Sequence, residues 1–366
     1  MTRETIARAL SLTAIISTIV FMTASLAGTS TGYQEKTAEQ VYKNIESFKG
    51  MPASHLDGAM SFMSASLGVG CDYCHTDSWE SDARAAKQNA RRMIEMTQKI
   101  NKENYGVNWG VVNCYTCHKG RPHPESIPDA EQPAWQPPDA KAATASLPAL
   151  NEVLDKYIQA IGGKEAIEKL NTRISKGSLT TTNLMTPPVT APLEVYQKAP
   201  NRLLTVAAYP DGAFQEGHDG STAWASDKRK QRDIIGEEAR QKLDEDFYGY
   251  LKIRERYPTM RLMGTEPVGD REAYVVGATS RDGSRDRLYF DAQTGLLIRK
   301  HTIYKTVFGT IPEVVDFRDY REVDGVKLPF TTVWSRLPFT VTRKLTEIKH
   351  NLPIDDAKFK NPFARR

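Results

Sequence analysis

The 366-residue sequence has only four cysteines and no excess of charge of one sign, with 49 Lys and Arg against 45 Asp and Glu. It lacks a basic low-complexity tract, so its composition gives no support for a nucleic-acid partner. It also lacks a phosphate-binding P-loop, a dinucleotide fingerprint and a Ser-His-Asp set, which removes the signals for those enzyme classes. No cysteine precedes residue 71, so we expect no lipid-anchored cysteine at the amino terminus.

All four cysteines lie in two pentapeptides, Cys71–His75 and Cys114–His118, and each reads Cys-x-x-Cys-His. This spacing lets two thiols form thioethers with the vinyl groups on one edge of a porphyrin, while the adjacent histidine becomes the proximal iron ligand. A zinc site built from all four cysteines and a pair of disulfides are the alternatives. The pattern predicts two covalently bound haem c groups, with Cys71, Cys74, His75, Cys114, Cys117 and His118 as binding residues.

The amino terminus has the pattern of an export signal. Arg3 and Arg8 are followed by an uncharged stretch that ends only at Glu35, with small residues before Ala27. We therefore predict a signal peptide over residues 1–27 and a periplasmic protein. A retained membrane anchor is the alternative, because the uncharged stretch is long enough to span a bilayer and would make the protein membrane-associated.

A proline-rich stretch divides the chain. The segment from Lys119 to Pro148 contains seven prolines, Pro148 included, and such a segment favours extended backbone over a packed core. We predict a dihaem cytochrome domain over residues 35–130, a linker over 131–147 and a second domain over 148–366.

The first domain is predicted to be helical, with helices over Thr37–Phe48, Leu56–Leu67 and Asp82–Asn104. Gly68 and Gly70 end the second helix and let the backbone approach a macrocycle before Cys71. The third helix carries a stripe of mostly small residues on which a flat porphyrin could lie. The stripe consists of Ala86, Ala90, Met93, Thr97 and Ile100.

Four segments of this domain resemble the cytochrome c subunit of photosynthetic reaction centres, over about residues 38–125. They are Lys49–Ser54, Met60–His75, Ala90–Asn101 and Val112–Gly120. The resemblance implies haem held by a helix, a turn and Cys-x-x-Cys-His, with a methionine of the preceding helix as the sixth iron ligand. It also implies electron transfer from soluble donors to a photo-oxidised pigment pair. That family has four haems and is often lipid-anchored, whereas this chain has one pair of motifs.

The sixth ligands are predicted from this resemblance. Met60 lies eleven residues before Cys71, a spacing that the family uses, and Met63 competes with it. Met93 lies within the small-residue stripe of the third helix, and Met96 lies at its edge. We predict Met60 and Met93 as iron ligands, and His55 is a weaker alternative for the first haem.

The second domain is predicted to begin with two helices, the first closed by Gly162 and Gly163, and to continue as antiparallel strands. Turn signals such as Asp291–Gly295 and Asp324-Gly325 separate the strands. The order resembles lipoprotein-carrier-like domains of the periplasm, which implies a curved open sheet, or half-barrel, with a concave face for an apolar ligand. The predicted fold class is therefore α+β, an all-α dihaem domain followed by a mostly antiparallel β domain.

Three functions follow from these features. The favoured one is a periplasmic electron carrier, not an enzyme, that exchanges single electrons with redox proteins, including a membrane reaction centre or another membrane complex. A dihaem peroxidase is an alternative that requires one iron with an open sixth position. A redox-linked protein that binds a lipid through the second domain is the other. Basic residues of the third helix, among them Lys87 and Arg91, either pair with haem propionates, dock a partner or form a solvated face.

Overall fold

The computed structural model describes residues 35–124, 147–183, 187–227, 231–234, 247–249, 251–281 and 283–363. The predicted signal peptide and almost all of the predicted linker lie outside these ranges. The chain from Thr37 onward belongs to one compact unit, so contacts between its helical part and its sheet can be described.

The helical region, residues 35–124, contains four helices. They are α1 (Ala38–Val41), α2 (Leu56–Leu67), α3 (Ala85–Tyr105) and α4 (Cys114–His118), with short 3-10 turns at Ala53–His55 and Cys71–Tyr73. The prediction for Leu56–Leu67 is confirmed, and the third helix begins three residues later than predicted. The predicted helix over Thr37–Phe48 is wrong beyond Val41. Asn44 there has a φ of 58°, and its side-chain amide donates to Asp82 Oδ1 at 2.9 Å, which turns the chain away from a helical path.

The rest of the described chain is dominated by one antiparallel sheet. Its spatial order is β6-β5-β4-β3-β2-β1-β13-β12-β11-β10-β9-β8-β7. The strands are β1 (Thr172–Asn183), β2 (Val189–Lys198), β3 (Arg202–Tyr209), β4 (Gly212–His218), β5 (Ala223–Ser226), β6 (Gln231–Ile234), β7 (Thr259–Val268), β8 (Arg271–Thr279), β9 (Arg285–Asp291), β10 (Leu297–Thr306), β11 (Gly309–Val323), β12 (Val326–Arg336) and β13 (Phe339–His350). The first and last strands are adjacent, with Arg173 opposite His350 and Asn183 opposite Phe339. The predicted α+β order, helices followed by an open antiparallel sheet, is confirmed.

The contacts of helix α2 show that this sheet is strongly curved. A Cβ atom added to Gly58 would lie 3.3 Å from the hydroxyl of Tyr304 on β10. The neighbouring Asp57 lines a hollow of about 120 Å³ together with Phe214 of β4 and Arg232 of β6. Seven strand positions separate β4 from β10, about 34 Å in a flat sheet. Because adjacent residues of one helix reach both strands, the sheet must curl.

Helices α5 (Leu150–Ala160) and α6 (Gly163–Glu168) pack on one face of the sheet. Tyr157, which is 1% exposed, places its ring centroid 5.2 Å from that of Phe290 on β9. Gly162 has a φ of +114°, and a Cβ atom there would lie 2.2 Å from the carbonyl oxygen of Gly325. Glycine therefore allows the close approach between these helices and the turn that precedes β12. The short α7 (Ile253–Arg256) contributes Ile253 to the same core.

Candidate functional site

The first Cys-x-x-Cys-His motif follows a sharp turn at the end of α2. Gly68 ends that helix in the left-handed conformation, with a φ of 67°, and its N–H donates to Ser64 O at 2.8 Å. The next residues form the 3-10 turn Cys71–Tyr73. The N–H of His75 then donates to the carbonyl oxygen of Cys71 at 2.9 Å. Both thiols and the imidazole are therefore carried on one compact turn.

The second motif is itself the helix α4, and Asn113 caps it. Asn113 Oδ1 accepts from the backbone N–H of Thr116 at 3.2 Å, while Thr116 Oγ1 accepts from the N–H of Asn113 at 3.1 Å. This reciprocal capping satisfies two backbone donors at the start of the helix. It fixes the turn that carries Cys114, Cys117 and His118.

The two motifs meet through their flanking glycines. The N–H of Gly120 donates to the carbonyl oxygen of Ser66 at 2.8 Å. A Cβ atom on Gly68 would lie 2.1 Å from the carbonyl oxygen of Gly120, so a side chain at residue 68 would displace this contact. The end of α2 and the end of the second motif are thereby held together.

Both motif histidines have Nδ1 within hydrogen-bond distance of a backbone carbonyl oxygen. His75 Nδ1 lies 3.1 Å from the carbonyl oxygen of Trp79, and His118 Nδ1 lies 3.0 Å from that of Arg121. With Nδ1–H donating to a carbonyl, Nε2 carries the lone pair that binds a metal. Burial lowers the pKa of His75, which favours the neutral, ligating form. The residues present therefore fit haem c at both motifs.

The four cysteines do not converge on one centre. None of the four takes part in a disulfide, and within the described ranges no three His, Cys, Asp or Glu side chains are grouped closely enough to hold a metal ion. A haem iron needs no such group, since the porphyrin supplies four of its ligands. Burial raises the pKa of Cys74 and raises the pKa of Cys114 to about 11. At both residues burial therefore disfavours the thiolate, which is the form that binds zinc.

The predicted methionine ligands differ in their surroundings. Met60 and Met63 on α2 are partly buried and pack against the core of the helical region. Met93 and Met96 on α3 are 44% and 43% exposed. Burial therefore does not distinguish Met60 from Met63, or Met93 from Met96, as the iron ligand. The assignment of Met60 and Met93 stays a prediction. His55 is exposed at the end of a 3-10 turn.

The buried side of α3 is offset from the predicted stripe. It consists of Ile94, Thr97 and Asn101, of which the stripe included only Thr97. Asn101, which is fully buried, donates to Val112 O at 2.7 Å and accepts from Val112 N–H at 2.9 Å. These two hydrogen bonds hold the backbone at Val112, just before Cys114, against α3. Asn101 lies on the same helical face as Ile94 and Thr97, and a polar residue on such a face is the sequence pattern that could have indicated this buried role.

Large apolar side chains are unusually exposed in the helical region. Eight of them lie in residues 35–124, whereas the much longer described part from residue 147 onward has seven. The eight are Val41, Trp79, Met93, Met96, Tyr105, Val107, Val111 and Tyr115. Of these, Trp79 and Tyr115 lie within or next to the motifs in sequence, where a bound macrocycle would cover apolar side chains.

Sequence reasoning did not anticipate that the sheet reaches into this region. Phe308, at the tip of the β10–β11 hairpin, is 2% exposed. Its ring centroid lies 4.8 Å from that of Trp109, 5.8 Å from Phe48 and 5.9 Å from Phe62. Cys114 and Met60 pack against the same cluster. The signal was the apolar pair Val307-Phe308 at a turn where polar residues and glycine are usual.

Comparison with known proteins places the similarity in the motif-bearing segment. Residues 17–156 match the family described as photosynthetic reaction centre cytochrome C subunit. The photosynthetic reaction center cytochrome c subunit of Rubrivivax gelatinosus is 36% identical over 93 residues, 25% of each chain. Cytochrome c-554 of Chloroflexus aurantiacus is 34% identical over 86 residues, 22% of this chain and 21% of that protein. The chain thus spans about a quarter of the length of these curated relatives.

The sheet resembles solved structures more distantly. A DUF1329 family protein from Desulfovibrio piger has a TM-score of 0.43 and 14% identity, covering 57% of this chain and 96% of that one. A LolA superfamily protein from Nitrosomonas europaea has a TM-score of 0.40 and 13% identity, covering 58% and 98%. Both scores are below 0.5, so this likeness supports no functional assignment.

Among the helices of the described ranges, none combines the length and apolar character needed to span a bilayer. The predicted anchor or signal segment lies outside these ranges. The segment that carries both Cys-x-x-Cys-His motifs is therefore similar to the photosynthetic reaction centre cytochrome c subunit, a family that implies covalently bound haem c.

Proposed function

We propose that this protein is an exported dihaem c-type cytochrome that passes single electrons between redox partners in the periplasm. One observation carries the proposal: both motif histidines have Nδ1 engaged by a backbone carbonyl, at 3.1 and 3.0 Å. This leaves Nε2 of each ring for iron. The similarity of the same segment to reaction centre cytochrome subunits supports this function over zinc binding or a disulfide framework.

Bound haem c supplies reversible one-electron chemistry between ferric and ferrous iron. The chain's own residues position it. The thiols of each motif would hold one porphyrin edge, and His75 and His118 would bind the iron. Met60 and Met93 would supply the remaining protein ligands, and a thioether ligand favours ferrous iron. With these ligands supplied by the protein, the site would suit electron transfer better than peroxide turnover.

The contact between Gly120 and Ser66 joins the two motif units, which supports electron exchange within a haem pair. A membrane reaction centre is one partner class consistent with the relatives' names. We infer that the eight exposed apolar side chains of the helical region surround the haems and leave part of this surface for such a partner.

Haem stoichiometry tests the proposal. Intact-mass spectrometry of the exported protein should show two haems that survive denaturation. Changing Cys71 and Cys74 to alanine should remove one of them, and changing Cys114 and Cys117 should remove the other. A matched control is Cys71→Ser alone, which should weaken attachment at the first motif only. If acid acetone extracts the haem, or if the mass shows only one haem, the proposal of a dihaem c-type cytochrome is wrong. Turnover of hydrogen peroxide would favour the peroxidase alternative.

A further inference from the structure

Lys87 lies in the first turn of α3, where a basic side chain is ordinarily solvated, yet its side chain is only 12% exposed. Its ammonium group donates to the carbonyl oxygens of Trp79 at 3.0 Å and Ser81 at 2.9 Å. It also lies 3.2 Å from Asp82 Oδ1. Lys87 is therefore held by the loop that follows the first motif, which is neither the solvated face nor the propionate contact that the sequence suggested.

The carbonyl oxygen of Trp79 is shared. It accepts from Lys87 Nζ and faces His75 Nδ1 at 3.1 Å. The Trp79 ring centroid also lies 5.0 Å from that of His75. The predicted proximal ligand and a largely buried ammonium group thus meet at one oxygen atom.

We propose that Lys87 is a positioning residue that raises the reduction potential of the haem held by His75. The inference rests on the proposed function, since it requires haem at Cys71–His75. An imidazole that donates strongly through Nδ1 gains imidazolate character and stabilises ferric iron. Lys87 is a second donor to the same carbonyl oxygen, and it weakens the hydrogen bond that this oxygen accepts from the imidazole. The imidazole therefore gains less imidazolate character.

The charge of Lys87 acts in the same direction. A cation in a partly buried position beside the site disfavours the more positive ferric state. The surrounding charges are balanced, because Asp82 pairs with Lys87 and Arg91, and Arg91 also pairs with Glu46 at 3.2 Å. Removing Lys87 alone would leave this cluster with a net negative charge. The loss of the shared hydrogen bond and the loss of the charge therefore both lower the potential.

The test is a spectroelectrochemical titration of the full-length holoprotein carrying Lys87→Met. We expect one of the two potentials to fall by about 59 mV, a tenfold change in the one-electron equilibrium, while the other stays in place. Lys87→Arg should keep the potential close to that of the unaltered protein, because it keeps the charge and a donor. Lys99→Met is the matched control, since Lys99 lies on the same helix, is 73% exposed and pairs only loosely with Glu103 at 3.9 Å. It should leave both potentials unchanged.

The same measurement on Lys87→Met combined with Cys114→Ala and Cys117→Ala, which keeps only the first haem, should show the full shift. If the Lys87→Met variant does not fold, Lys87→Gln replaces it in the same measurement. Two haems with unchanged potentials in Lys87→Met and Lys87→Gln would overturn the inference and leave the proposed function standing. An equal shift in both haems, or a shift as large in Lys99→Met, would likewise overturn it. A protein without covalent haem would instead overturn the proposed function.

Discussion

The two parts of this protein close their cores in different ways. The sheet region buries a large cluster between its strands and its own helices, in which Leu154 and Phe290 are fully buried. The helical region has a small core, and two of its buried members, Phe308 and Ile311, come from the sheet. The difference indicates that residues 35–124 do not complete their core alone. They depend on the sheet hairpin and, under the proposed function, on haem.

Breaking the hairpin contact should have the largest effect. Phe308→Ala removes a side chain that touches three aromatic rings of the helical region, and such truncations of buried aromatic residues cost about 3–5 kcal/mol. We expect urea unfolding followed by haem absorbance to report this loss. Ile303→Ala is the control, because Ile303 lies on the same hairpin but is 41% exposed; it should change the free energy of unfolding by less than about 0.5 kcal/mol.

Phe308→Leu, which keeps most of the apolar volume, should recover part of the stability. If Phe308→Ala and Ile303→Ala have equal effects, the helical region does not depend on this contact, and the comparison above fails.

The next test concerns the sixth iron ligands, because a methionine bound to iron would tie the haem to the helices of the helical region. Met60→His or Met93→His should each lower one reduction potential by on the order of 0.1 V, a fraction of the roughly 0.8 V that axial ligands span. Each should also remove one haem's contribution to the methionine–iron band near the red end of the oxidised spectrum. Met63→His and Met96→His are the matched controls on the same helices. A larger effect from either control would transfer the ligand role to that residue.

Local patterns predicted those parts of the protein that local chemistry determines. The helix Leu56–Leu67 follows from its apolar spacing and the glycine at its end, and the turns Asp291–Gly295 and Asp324-Gly325 separate strands as expected. Each of these features depends on residues close together in the sequence.

Long-range contacts were not predictable in the same way. Phe308 lies about 200 to 260 residues after the cluster it fills, and no periodicity links a hairpin tip to a distant helix. The helix predicted over Thr37–Phe48 stops at Val41 because Asn44 bonds with Asp82, another contact across the chain. The position of Lys87 in the sequence of its helix indicated a solvated side chain. Its contact with the carbonyl oxygen of Trp79 depends on the path of the loop before the helix.

The smallest predicted effect lies in the sheet region, far in sequence from the motifs. Asp219 lies in the turn between β4 and β5, where its Oδ1 accepts from the N–H groups of Ser221 at 2.9 Å and Thr222 at 2.8 Å. Burial alone would raise the pKa of Asp219, but these hydrogen bonds outweigh it and lower the pKa to about 2. The folded state therefore favours the carboxylate relative to the unfolded chain, whose pKa is about 3.9.

This carboxylate should stabilise the fold above about pH 4, and the contribution should disappear as the pH falls towards 2. Because the side chain is only partly buried, we expect only about 1 kcal/mol. Asp219→Ala should remove that part of the acid dependence of unfolding, measured by circular dichroism of the sheet, and should leave both haem potentials unchanged. Asp270→Ala, in the β7–β8 turn, is the control. If Asp219→Ala shows the acid dependence of the unaltered protein, the capping hydrogen bonds do not stabilise the turn. If it shifts a haem potential instead, the two regions are coupled more tightly than their separate cores indicate.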